Sequence, residues 1–181
     1  MRLLFLLIIF SFSPRLSYGQ NVVNNDSVLY YFNFMLNEYR MINGLKPLVI
    51  DTKIKPFSES WANHMSSNNM VYHGNDDNSF PNRVKSYFPA TIYCVENCCS
   101  ITTPKTKEDG YVSCSIKELI PLIRKTYDGT ANQFDYAYFA FILWKSSPTH
   151  NDALLDPNIK KFYLSSSPSR DLTYMEFVGT N

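Results

Sequence analysis

The hydrophobic period of this chain changes from one end to the other, and that change limits the folds open to it. Near the N-terminus Leu29, Phe32, Leu36 and Tyr39 recur at +3, +4 and +3, the stripe of one helix face. Ile54, Phe57, Trp61 and Met65 draw a second such stripe. Near the C-terminus, residues 159–166 and 172–179 read instead as two strands about a turn at 167–171. Helices first and a hairpin last is an α+β pattern. No internal repeat with a period of 20 to 50 residues is visible.

Local signals set the expected boundaries. Asp26 or Ser27 can cap a first helix from Val28 to about Asn43, with Gly44 placed to end it. Leu45 to Ile50 is extended, and Asp51 or Thr52 can cap a second helix that holds Pro56 in its first turn and ends near Asn68 and Asn69. Residues 74–79 carry polar turn chemistry, and Asn82 to Tyr87 suit a short helix. Ala90 to Val95 reads as a strand running into Glu96 and Asn97, followed by a loop from Ser100 to Ser113. Ser115 with Glu118 forms a capping box for a third helix, which Pro121 should kink. Tyr136 to Lys145 is aromatic on most sides, so it should be a helix buried on more than one face, and Asn151 to Leu155 adds a short helical turn.

Residues 1–19 are set apart before any core is argued. Arg2, the apolar run Leu3 to Phe10, the break at Ser13 and Pro14, and small residues at Ser17 and Gly19 together read as a signal peptide. The run is about half of the roughly 20 residues a membrane span needs, so no stable membrane insertion is expected after cleavage. Residues 20–181 then form one domain that is secreted, to an extracellular or periplasmic space. The whole chain carries 17 basic and 16 acidic side chains; without Arg2 and Arg15 the balance becomes −1. So neutral a surface gives no electrostatic reason to expect a nucleic-acid partner. An oxidising compartment also favours disulfides among Cys94, Cys98, Cys99 and Cys114. Adjacent Cys98 and Cys99 bridge each other only under strain, so each should pair separately with Cys94 or Cys114. A zinc ribbon wants two separated C-x-x-C pairs, and only a C-x3-C-C cluster is present.

Three histidines, His64, His73 and His150, make the search for a site short. G-x-S-x-G, H-E-x-x-H, P-loop and G-x-G-x-x-G fingerprints are all missing. His64 sits among polar residues one position from core-facing Met65 and reads as a boundary side chain. His73 follows an apolar triplet where a helix has just ended, and His150 closes the turn after Trp144; a rigid element can aim either into a cleft. Glu96 lies between Cys94 and Cys98, on backbone that cross-links would hold.

The surroundings of these residues resemble the CAP superfamily, the cysteine-rich secretory, antigen 5 and pathogenesis-related 1 proteins, and in particular its simpler bacterial branch with an SCP domain. Leu36-Asn37-Glu38-Tyr39-Arg40 followed by Gly44-Leu45-Lys46-Pro47-Leu48 is similar to the family's L-N-x-x-R and G-L-x-P-L opening. Met65 and His73 stand eight apart as in its M…H segment, Glu96-Asn97 follows, and Trp144 to His150 looks like its W-x-x-S-P-x-H. Matches in register span roughly residues 28 to 179. The resemblance implies an α-β-α sandwich whose cleft is lined by two histidines, His73 and His150, and by acids, of which Glu96 is one. The second acid has no glutamate at its place; Asp76 and Asp77 are nearest, and Asn78 occupies the position itself. Other departures are the Cys98-Cys99 pair with its Cys114-containing insertion, and Tyr174-Met175-Glu176-Phe177 where the family has a Tyr-Thr-Gln-like run.

Two imidazoles and a carboxylate can hold Zn²⁺ with a position left for water. Without a metal, Glu96 can orient an imidazole and hold its charge. The expected function is therefore a secreted binding or interaction module, with a divalent metal at His73, Glu96, His150 and Asp77 and a nearby groove for a lipid, peptide or protein ligand. The alternative is a hydrolase in which the same residues activate water.

Overall fold

The computed structural model describes residues 23–88, 90, 92–102, 133–169 and 172–181. The leader at 1–19, Cys114 and the helix expected from Ser115 lie outside the described residues. The elements are α1 (Asn25–Ile42), β1 (Val49–Ile50), α2 (Lys55–Asn68), a one-turn 3₁₀ helix (Asp76–Asn78), α3 (Phe80–Tyr87), β2 (Cys94–Thr102), α4 (Gln133–Ser146), α5 (Pro148–Leu154), β3 (Lys161–Ser169) and β4 (Leu172–Thr180). The four strands form one sheet in the order β1-β3-β4-β2, so β2 is an edge strand. β1 runs parallel to β3, while β3 with β4 and β2 with β4 are antiparallel.

Alternation along the strands divides the protein into three layers. Phe162 on β3 and Phe177 on β4 face α1 and α4, where Phe32 meets both and Trp144 meets Phe177 through tilted ring contacts 6.0–6.2 Å apart, and Phe32 in turn meets Phe141 and Trp144 edge-on at 5.6–6.2 Å. Tyr174 and Cys98 point to the opposite face, against Trp61 and Met65 of α2. α3 packs on α2 through Phe80 and Tyr87, each about an edge-on contact from Phe57. This is an α+β fold with helices on both faces of a mixed sheet. Among the described residues no helix is long and apolar enough to cross a membrane.

The first helix starts three residues earlier than its periodicity suggests. Asn24, not Asp26 or Ser27, is the N-cap, its side-chain oxygen accepting from the Ser27 N–H. α2 buries Ile54 before it and Phe57, Trp61 and Met65 within it, as the stripe requires, and ends at Asn69 in the left-handed conformation. α4 is buried on several faces.

Strands run further than the sequence signals. Ser100, Ile101 and Thr102, expected in a loop, pair with Tyr174, Thr173 and Leu172. β3 continues through Pro168, expected in the turn, because β1 borders it only at Lys161 and Phe162 and the missing N–H of Pro168 deprives no neighbour on that side. The strand removes one part of the disulfide expectation, a bridge from Cys94 to Cys98 or Cys99, while the pairings expected with Cys114 lie outside the described residues. Cys94, Cys98 and Cys99 are free thiols. Four residues of extended chain separate Cys94 from Cys98 by roughly 13 Å, twice the Cα span a disulfide accepts, and Cys99 is further and on the opposite face.

Candidate functional site

The L-N-x-x-R motif is structural. Asn37 accepts from the Leu48 N–H at 2.8 Å and donates to the Leu48 carbonyl at 3.0 Å, fixing the start of β1. Buried Arg40 donates to the carbonyls of Lys46 and Leu154, stitching α1 to the end of α5.

Three elements converge at the β2 edge. His73 comes from the loop after α2, which is anchored when Trp61 Nε1 donates to the Tyr72 carbonyl at 3.0 Å. Gly74 follows with φ +84°, and a Cβ there would collide with the Asn78 carbonyl, so only glycine lets the chain turn back at once. Arg83 Nη2 and the Phe80 N–H both donate to the His73 carbonyl. Glu96 stands on β2. His150 is carried by α5, which is tied to the same strand where Asn97 Nδ2 donates to the His150 carbonyl at 2.9 Å. Trp144, near the end of α4, makes a second tie by donating from Nε1 to the Cys98 carbonyl, so the spacing from Trp144 to His150 covers two successive helix-to-strand ties.

His73 Nδ1 lies 2.7 Å from Glu96 Oε2, and the His73 and His150 rings are 6.4 Å apart and nearly parallel. Glu96 Oε1 accepts from Arg83 Nη2 at 2.5 Å, and Arg83 Nη1 reaches Glu176 Oε1 at 3.3 Å. Ser147 Oγ holds His150 Nδ1 at 2.9 Å, and among the described residues no hydrogen bond engages its Nε2. Asp77, expected as a further acid, is exposed on the 3₁₀ turn, and no hydrogen bond or ion pair to the other three involves it. His64 stacks on Trp61 at 4.7 Å and bonds Tyr72 OH, outside the cleft.

A CAP family model, described as the cysteine-rich secretory protein family, matches residues 34–180. The chain belongs to this family. Among solved structures, an outer surface protein of Borrelia burgdorferi aligns with TM-score 0.63 at 12% identity, covering 88% of this chain and 96% of that one. An extracellular SCP-domain protein of Bacillus anthracis aligns at 0.54 and 13%, over 85% of this chain and 41% of its own. A cysteine-rich secretory protein of Staphylococcus aureus aligns at 0.51 and 15%, over 87% and 40%. This CAP chain therefore spans about two fifths of the last two proteins. No curated protein matches it in sequence.

Electrostatics separates the groups of the CAP cleft. Burial opposes ionisation of Glu96, but hydrogen bonds with Glu176 and His73 and the charge of Arg83 outweigh it and hold the carboxyl below its ordinary range. The hydrogen bond to Glu96 raises His73 against its partial desolvation. Desolvation, joined by repulsion from His73, lowers His150. Glu176 is raised well above the carboxylate range, first by burial and then by its bond to Glu96 and the charge there. Its neutral form is therefore favoured over its charged form beside the Glu96 carboxyl.

Arg83 and Glu176 are the functional residues that sequence reasoning passed over. Arg83 lies in a short helix read only for its ends. Glu176 did carry a signal: it is an acid amid Tyr174, Met175, Phe177 and Val178, and an ionisable group in an apolar strand needs a partner. Among the described residues the acid linked to Glu96 through Arg83 is Glu176 on β4.

The donor set suits a borderline-soft divalent ion. His73 offers nitrogen, Glu96 oxygen and Cys98 sulfur, with ligand atoms within 4.8 Å of one another. Glu176 Oε2, fully buried, faces no donor among the described residues, so a proton or a cation must answer it.

Proposed function

We propose that this protein is an extracellular interaction module whose cleft binds a divalent cation, Zn²⁺ foremost, through His73 and Glu96, with His150 closing over it. The observation that carries this reading is the His73–Glu96 pair under the His150 ring, oriented from behind by Arg83. Charge-assisted orientation of a ligand by a buried partner is how metal-binding side chains are held. An extracellular place is supported by the family and by the printed descriptions of the neighbours. Where it is bound, the ion supplies a Lewis-acidic centre; the chain supplies orientation and a partly closed site.

Beside the cleft, an open groove of about 440 Å³ runs along α2 and α3. Trp61, His64, Arg83 and Tyr87 line it together with the amides and hydroxyls of Ser60, Asn63, Ser67, Asn78 and Ser86, a mixed aromatic and polar set that supports a peptide ligand.

The test is zinc calorimetry on the wild type and on a His73→Ala/His150→Ala variant. Binding by the first and not the second is expected; equal behaviour of the two overturns the assignment.

Hydrolysis is the second reading, favoured by one observation. The two facing imidazoles are shifted in opposite directions, so His73 holds its proton more strongly than His150, the division that acid–base catalysis needs. Ester or peptide turnover lost on mutation of His73, Glu96 and His150 would establish it; turnover surviving those changes would remove it.

A further inference from the structure

The inference below rests on the cation reading of the cleft and adds a ligand which that reading lacks. Among the described residues, the one compact set of three candidate ligand groups is His73, Glu96 and Cys98, and His150 is not in it. Strand geometry explains why. Glu96 and Cys98 are two residues apart on β2, so they project from the same face, toward the loop that carries His73. Cys98 is buried and unbridged, lying one step deeper along the strand than Glu96.

A second observation comes from the neighbouring strand. In the antiparallel register Cys98 stands directly opposite Glu176, which places their Cβ atoms roughly 5 Å apart. Glu176 is wholly buried, and its Oε2 has no hydrogen-bond partner among the described residues. A buried polar atom left without a donor is rare in a folded protein and calls for a ligand or a proton. The pocket floor therefore carries a thiol beside a buried carboxyl oxygen that only a proton or a cation can satisfy, under an imidazole–carboxylate pair.

We propose that the cleft is a mixed nitrogen, oxygen and sulfur site, in which Cys98 Sγ binds the cation together with His73 and Glu96. The thiol proton passes to solvent as the metal–sulfur bond forms, and the proton between His73 Nδ1 and Glu96 Oε2 leaves when the cation takes its place. Ligand atoms around a tetrahedral zinc lie roughly 3.3–3.8 Å apart, so side-chain adjustments of about 1 Å close the set. A thiolate ligand selects Zn²⁺ over Mg²⁺ and Ca²⁺, which take oxygen donors.

X-ray absorption at the zinc edge, on the reduced, zinc-loaded protein, tests this directly. A sulfur shell at about 2.3 Å beside a nitrogen and oxygen shell at about 2.0–2.1 Å is expected. The sulfur shell should vanish in Cys98→Ser while zinc remains bound through the lighter donors. If Cys98→Ser fails to fold, a Cys94→Ser/Cys99→Ser/Cys114→Ser variant, which keeps Cys98 as the sole thiol, must retain the sulfur shell. Zinc bound by the wild type with light donors only overturns the role of Cys98 and leaves the cation reading standing. A sulfur shell that survives in Cys98→Ser, or is lost when only Cys98 remains, likewise overturns it. Failure of the wild type to bind zinc at all overturns the underlying cation reading as well.

Discussion

Arg83 does three things with one guanidinium. It pairs with Glu96, bonds Glu176 and lies 3.6 Å above the centre of the Trp61 ring. Removing it as Arg83→Met leaves a buried carboxylate without its countercharge, and the expected loss is about 3–5 kcal/mol, read from urea denaturation. Glu176→Gln should behave in the opposite way. An amide keeps a donor toward Glu96 at every pH, where Glu176 has one only in its neutral form. The folded-state pKa of Glu176 is raised, so its contribution is present below the ordinary carboxylate pKa and lost as pH rises through the folded value. The variant is therefore expected to match or exceed the wild type in melting temperature above neutral pH, and to fall below it in acid.

His73 and Glu96 form a window rather than a slope. Glu96 is lowered, so its stabilisation is full above the unfolded carboxylate pKa and is lost as pH falls through the folded value; His73 is raised, so its share is full below the unfolded histidine pKa and is lost as pH rises through its folded one. In the metal-free protein the pair contributes most between about pH 4.5 and 6.5, and the half-exposed His73 keeps its share small. Proton NMR titration should place His73 above His150, and Glu96→Gln should bring His73 down. Both histidines and Glu96 were legible in the sequence because each sits in a short motif of fixed spacing. Arg83 and Glu176 were not: Glu176 is brought to Glu96 by the register of β2 against β4 and Arg83 by the packing of α3 beside α2, and single-sequence periodicity carries neither.

At the level of elements, the helices were legible and the strand ends were not. α1 and α2 announce themselves through stripes that bury Phe32, Leu36, Trp61 and Met65. The cap of α1 was misread because Asn24, Asp26 and Ser27 are all competent, and only the observed bond to the Ser27 N–H decides among them. Asn24→Ala should cost about 1 kcal/mol in chemical denaturation, and Asp26→Ala much less. β2 ran past its apolar stretch because Cys98, Cys99, Ser100 and Thr102 are held by pairing with β4, a tertiary decision that overrides local preference.

On the scale of the molecule, the sheet carries the site at one edge while the aromatic core of α1, α4, β3 and β4 lies behind it. Phe32 touches Phe141, Trp144, Phe162 and Phe177, so Phe32→Ala should cost about 3–5 kcal/mol without changing the affinity of the cleft for zinc. Zinc should in turn raise the melting temperature of the wild type, with about 2.7 kcal/mol of stabilisation at a hundredfold excess over the dissociation constant, reversed by chelator.

The stacking of Arg83 on Trp61 has an optical consequence. The protein has two tryptophans, and Trp144 is sealed in the core. Trp61 is in ring contact with both the guanidinium of Arg83 and the imidazole of His64, and that guanidinium is also the clamp on Glu96. Any event that draws Glu96 away from Arg83 alters the field over the indole. In a Trp144→Phe background the emission of Trp61 becomes an intrinsic, label-free gauge of whether the cleft is filled.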